Sequence, residues 1–218
     1  MSVLRVGLLS LAALVAVEAS AAGVDDALRD AAQRGDRIAA ARLLDNGADV
    51  GARAADGTTA LHWATRADSL DTVTLLLDSG ADARAADMYG VTPLYLAAEN
   101  GSAEVIASLL AAGADPNTVA PTGQTALMTA ARNGKIDAIA LLLDHGAVLD
   151  ARDPEFEQTA LMMAVREGYA DVVALLIERG ADVDAHTRIG ETPAFIPPCK
   201  RTGCFSEGAI RDPVCRRD

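Results

Sequence analysis

The chain has 218 residues, half of them apolar and only 3% aromatic, which is long enough for a continuous core built from Leu, Ala and Val rather than from rings. Its formal charge of −12 excludes binding along a phosphate backbone, which needs a Lys/Arg stripe to displace counterions, and equally disfavours an anionic membrane surface. The plainer role of the acidic excess is solubility.

Residues 1–22 read as a leader. Arg5 gives a short positive region, Val6 to Val17 is an apolar run of about a dozen residues, and Glu18-Ala19-Ser20-Ala21-Ala22 supplies small residues for cleavage. This is the pattern of a secretory signal peptide, with the cut expected after Ala21 or Ala22. The run is short for a membrane span, and no cysteine follows it to take a lipid. An uncleaved N-terminal anchor is the competing reading.

Residues 24–56 open the ordered part. Leu28, Ala31, Ala32, Leu43 and Leu44 recur at helical spacing, with Gly35 and Gly47 as stops. Asp25, Asp26, Arg29, Asp30 and Arg34 suit the face that a terminal unit must turn to water.

Four units follow, at 57–89, 90–122, 123–156 and 157–189. The second is the clearest. Thr92 and Pro93 begin a helix as N-cap and first-turn proline, and Leu94, Ala97 and Ala98 form its apolar stripe. Gly101 ends it, and Val105, Ile106, Leu109 and Leu110 continue at helical spacing until Gly113. Neither helix can bury its stripe alone, so the unit needs copies of itself as neighbours. The copies are present: Gly57, Gly90, Gly123, Glu157 and Gly190 open equivalent units. Thr59-Ala60-Leu61, Thr92-Pro93-Leu94, Thr125-Ala126-Leu127 and Thr159-Ala160-Leu161 repeat the helix start, and Gly47-Ala48-Asp49, Gly80-Ala81-Asp82, Gly113-Ala114-Asp115 and Gly180-Ala181-Asp182 repeat the close.

A period near 33 with a T-P-L start and a G-A-D close resembles the ankyrin repeat, across roughly residues 24–193. The resemblance implies an all-α ankyrin-repeat solenoid of helix-turn-helix units joined by β-hairpin-like turns, the first unit acting as N-terminal cap. It also places His62 where the family has a histidine that bonds backbone between neighbouring repeats, a structural role, and Trp63 at a position usually held by Leu. Asp68 replaces the glycine between the helices and is expected to strain that turn. The turn Asp153-Pro154-Glu155-Phe156 holds one extra residue, tolerable because closure entropy grows only logarithmically with loop length.

The fifth unit starts at Gly190-Glu191-Thr192-Pro193 and then fails: Ala194 stands where Leu is expected, and Pro197-Pro198 would break a helix. Residues 194–218 read equally as a tail without fixed structure, a cysteine-linked tail, or a frame-shifted repeat. Their Cys199, Cys204 and Cys215 are an odd number and match no zinc spacing.

No nucleophile–base pair, zinc-protease motif or phosphate loop is present, and His62, His145 and His186 occupy different positions in different units. The periodic Asp49, Asp82, Asp115 and Asp182 suit turn and cap hydrogen bonds. The expected function is therefore non-catalytic, with no cofactor or metal. A monomer is expected that binds another protein, but neither nucleic acid nor, once the leader is removed, a membrane. The resemblance also implies export to the periplasm or the medium of a Gram-negative bacterium. Service as a secreted effector, or as accessory to a neighbouring gene's enzyme, are the alternatives.

Partner contacts in this family lie on the turn tips and the adjoining helix row. Register maps them here to Met88, Tyr89, Val91, Pro121, Thr122, Gln124, Phe156 and Gln158, and to Arg66, Glu99, Asn100, Arg132, Asn133 and Arg166. Tyr89 is the leading single candidate, as a stiff amphipathic aromatic. Arg66, Arg132 and Arg166 share one position and form either a ladder for an acidic partner or internal pairs with Glu99 and Glu167.

Overall fold

The computed structural model describes residues 23–193. The expectations for the leader, the broken fifth unit and the three cysteines lie outside the described residues. Within them the chain forms ten helices: α1 (23–33), α2 (Arg37–Asp45), α3 (Ala60–Arg66), α4 (Leu70–Asp78), α5 (Pro93–Asn100), α6 (Ala103–Ala111), α7 (Ala126–Arg132), α8 (Ile136–Asp144), α9 (Ala160–Glu167) and α10 (Ala170–Glu178). From α3 onward the odd-numbered helices pack on one another in sequence as one row, and the even-numbered helices from α2 form a second row against them. This is an all-α repeat solenoid.

Leu28, Leu61, Leu94, Leu127 and Leu161 occupy one position in successive repeats, and each is fully buried. Each contributes about 2 kcal/mol relative to an exposed side chain. The partner row is Val73, Ile106, Ile139 and Val173, also buried. The first row is enclosed from several sides, so α7 buries every residue but Arg132. Alanines such as Ala97, Ala98, Ala130, Ala131 and Ala164, none exposed, let these helices approach closely.

The repeated start and close each have a hydrogen-bond account. Thr92, Thr125 and Thr159 accept the N–H three residues on, capping α5, α7 and α9. At the close of α6 the N–H of Gly113 reaches Leu110 and that of Ala114 reaches Leu109. This Schellman arrangement needs the left-handed backbone, φ +88°, that glycine adopts freely. The Asp of G-A-D then caps the next turn: Asp49, Asp82, Asp115 and Asp182 each accept the N–H two residues on, at 2.9 Å. The expectation of turn bonds for these carboxylates holds.

Asp68 does adopt the left-handed conformation, φ +56°, and its carboxylate accepts the Ser102 hydroxyl of the following repeat. Glu157, standing in a glycine slot, does the same at φ +59°.

The β-hairpin-like character expected of the connecting turns is not adopted as strands. Among the described residues there is no strand, and only an isolated antiparallel bridge joins Val119 to Thr125. Each turn is instead closed by a main-chain bond from Ala54 N–H to Thr58, Asp87 to Val91, Ala120 to Gln124 and Thr187 to Glu191, with a second from the turn glycine back to the first residue. In the fourth turn the bond runs from Asp153 to Gln158, which absorbs the extra residue. Successive turns are stitched together by Met88 N–H to Asp56 and Arg188 N–H to Phe156. The side chains of Arg53 and Arg152, equivalent by register, each donate to a main-chain carbonyl of the next turn, those of Ala86 and His186, at 2.7 Å.

Candidate functional site

The turns present their tips on pre-set backbones. Oδ1 of Asp87 accepts the N–H groups of Tyr89 and Val91 at 2.8 and 2.9 Å. Asp153, only 3% exposed, accepts three: Glu155 and Phe156 on Oδ1 and Gln158 on Oδ2. Such carboxylate turns hold the chain in one conformation and lower the entropy cost of using the tip as a contact. The residues so presented are apolar. Met88 is 65% exposed, Tyr89 63%, Phe156 52% and, on the last turn, Ile189 80%. Pro121 and Thr122 are exposed on the third tip.

Other positions expected at the surface are committed internally. Gln158 is 5% exposed and offers a partner almost no area. Val91 and Gln124 are half-buried, and their carbonyls close their own turns. The Asn100 amide donates to the Thr65 carbonyl at 2.9 Å, and that of Asn133 to the Glu99 carbonyl at 3.3 Å. Both clamp the C-terminal end of the preceding repeat's helix by adding a donor to one of its last-turn carbonyls.

Along the helix row, Arg66 and Glu99 are exposed and Arg132 and Arg166 half-buried. Among the described residues no ion pair joins these arginines to Glu99 or Glu167, so the internal-pairing alternative is not adopted. The Arg66 guanidinium instead lies 5.5 Å from the centroid of the half-buried Trp63 ring, within cation–π range.

His62 is 2% exposed. Its Nδ1 accepts from the Thr59 N–H at 3.2 Å and meets the Thr59 hydroxyl at 2.9 Å, which leaves Nε2 as the protonated nitrogen, donating to the Val91 carbonyl at 3.1 Å. Burial pushes its pKa below the ordinary 6.5. A neutral, fully engaged ring between two repeats is structural, as the resemblance implies. His145 and His186 lie elsewhere, their Nδ1 atoms against the carbonyls of Leu141 and Asp184. Among the described residues no group of three side chains has metal-ligand potential, and no helix is long and apolar enough to cross a membrane.

Sequence reasoning found the tips but missed what fixes them. The signal was present: Asp87 lies three residues before the turn glycine Gly90, and Asp153 four before Glu157 in the same slot.

A stacked array with rigid projecting turns defines a repeat-solenoid binding module. A family model described as ankyrin repeats (3 copies) matches residues 28–120 and 109–187, and the chain belongs to the ankyrin-repeat family. Such repeats are generally protein–protein interaction modules and typically non-catalytic. No curated protein is similar enough to count as a match.

Proposed function

We propose that the chain acts after export as a non-catalytic scaffold that binds one protein partner across its turn tips and the adjoining helix row. The observation that carries this reading is the pairing of large exposed apolar groups, Met88, Tyr89 and Phe156, with turns locked by Asp87 and Asp153. Exposed apolar side chains on a rigid backbone gain on desolvation and lose little entropy, which is the economy of an interface anchor. Arg66, Arg132 and Arg166, without ion pairs among the described residues, add a positive row inside an acidic protein. That row favours a partner segment carrying carboxylates beside its apolar contacts.

The test is site-specific photo-crosslinking in the producing cell, with the reactive group at Tyr89, at Phe156, and, as control, at Ser79, exposed at the C-terminal end of α4 in the second helix row. One partner common to both tips and missing from the control is expected, and its yield should fall sharply in Tyr89→Ala/Arg132→Ala. Undiminished yield from that variant overturns the reading. The mass of the protein recovered outside the cytoplasm tests export, with a chain starting at Ala22 or Gly23 expected.

A further inference from the structure

A second surface feature lies at the N-terminal end, where the first turn of the array meets α1. Asp26, Arg29, Asp30 and Gln33 stand at i, i+3, i+4 and i+7 of α1 and so share one face. That face, the 54–58 turn and Trp63 enclose an open cleft of about 460 Å³, within the roughly 300–1,000 Å³ of small-ligand sites.

The lining is unbalanced in charge. Three carboxylates, Asp26, Asp30 and Asp56, face one cation, Arg29, which already pairs with Asp26. Asp30 and Asp56 have no ion-pair partner among the described residues. Asp56 is also held in place: Oδ1 accepts the Thr58 N–H at 2.9 Å and the Thr58 hydroxyl at 2.6 Å, while its carbonyl accepts Met88 N–H. Those Thr58 bonds keep its carboxyl below the usual carboxylate range, so it stays ionised.

We propose that this cleft receives an arginine side chain from a basic segment of a protein partner, its guanidinium between Asp30 and Asp56 and its stem against Trp63. Charge sets the sign of the guest. The indole sets its kind, because a planar, weakly hydrated guanidinium stacks on a ring where an ammonium does so less well. One guanidinium, that of Arg66, already lies 5.5 Å from the ring centroid, within cation–π range. Asp56 is fixed before the guest arrives, which spares ordering entropy. The proposal does not draw on the exposed side chains of Met88, Tyr89 or Phe156.

Trp63 is the sole tryptophan of the chain, so its fluorescence reports the cleft directly. The full chain is titrated with a blocked Gly-Ser-Arg-Ser-Gly peptide, and with the same peptide carrying lysine, neutral citrulline or glutamate at the centre. The arginine peptide should give a saturable change, the citrulline peptide about fivefold or more weaker binding, and the glutamate peptide none. Asp30→Asn should weaken the arginine peptide about three- to tenfold, while Asp137→Asn on α8, the same charge change elsewhere, should not. Calorimetry on Trp63→Phe, with its melting curve checked against wild type, should show weakened binding without the reporter. Equal response to arginine and citrulline, no saturation up to about 10 mM, or wild-type binding by Asp30→Asn overturns the proposal. Because the probe is a short peptide, failure of the tip-binding reading would leave this result intact, and the reverse also holds.

Discussion

Nε2 of His62 lies 3.1 Å from the carbonyl oxygen of Val91, joining the first helix of one repeat to the turn of the next. The Thr59 N–H donated to Nδ1 requires the neutral ring described above, and burial lowers the imidazole pKa from 6.5 in spite of the opposing pull of the Val91 bond. Below pH 6.5 the unfolded chain therefore takes up a proton that the folded chain refuses. The stability His62 contributes is complete above that pH and is lost as the pH falls toward the folded-state value. Urea unfolding at pH 7.5 and 5.5 should show a larger loss for wild type than for His62→Gln, with a slope of at most about 1.4 kcal/mol per pH unit. At pH 7.5, His62→Ala should cost about 1–3 kcal/mol, since it leaves Val91 and Thr59 without buried partners. Equal pH dependence in wild type and His62→Gln would sink the argument.

Gly134 and Tyr169 meet across the junction between the third and fourth repeats. A Cβ on Gly134 would sit 2.7 Å from the nearest ring carbons of Tyr169, at φ +70°. Gly146, φ +87°, has open space around its missing Cβ. Both glycines are needed for backbone reasons, and Gly134 alone for packing. Gly146→Ala should cost about 1–2 kcal/mol from the left-handed backbone, and Gly134→Ala distinctly more. Adding Tyr169→Ala to Gly134→Ala should recover part of the difference, a non-additivity that a double-mutant cycle measures. Strict additivity would refute the contact.

The two rows of helices were legible in the sequence because a short amphipathic helix has no other way to bury its stripe. The Thr starts and G-A-D closes were legible because each residue satisfies a local hydrogen-bond need within a few positions. What could not be read depends on stacking. Asn100 and Asn133 looked like free polar groups, yet each amide reaches a carbonyl 34 or 35 residues earlier. Asp30 is remote in sequence from Asp56 and Trp63 and lines one cleft with them only because the 54–58 turn folds beside α1. Period alone fixes which residues are equivalent, not which non-equivalent residues become neighbours.

Glu157 holds a glycine slot at φ +59° with 45% of its side chain exposed, near Arg152 at 4.0 Å and Arg188 at 3.9 Å. Both contacts are long, exposed and screened, worth about 0–1 kcal/mol together. Relief of the left-handed backbone gives about 1–2 kcal/mol, less the extra entropy a glycine grants the unfolded chain, about 0.4–1 kcal/mol. Glu157→Gly should therefore leave stability level or raise it by up to about 1 kcal/mol, whereas Glu157→Val, β-branched in the same backbone, should lower it. A clear loss from Glu157→Gly would mean that the two arginine contacts carry more than their geometry suggests.

The hydroxyls of Thr65 and Thr129 are buried without a hydrogen-bond partner, and both residues are fully enclosed. Neither serves as a cap, since Thr65 and Thr129 lie inside α3 and α7. A buried hydroxyl with no partner carries a desolvation cost of about 1–3 kcal/mol. Valine has nearly the same shape, no such group and about the same helix propensity. Thr65→Val and Thr129→Val should each stabilise the array by about 1 kcal/mol, and their effects should add, because they lie two repeats apart. Serine at either site keeps the hydroxyl and deletes the methyl, so Thr65→Ser and Thr129→Ser should destabilise. Equilibrium unfolding of the four single variants separates the two contributions. Destabilisation by both valine variants would show that each hydroxyl has a bonding partner in solution after all.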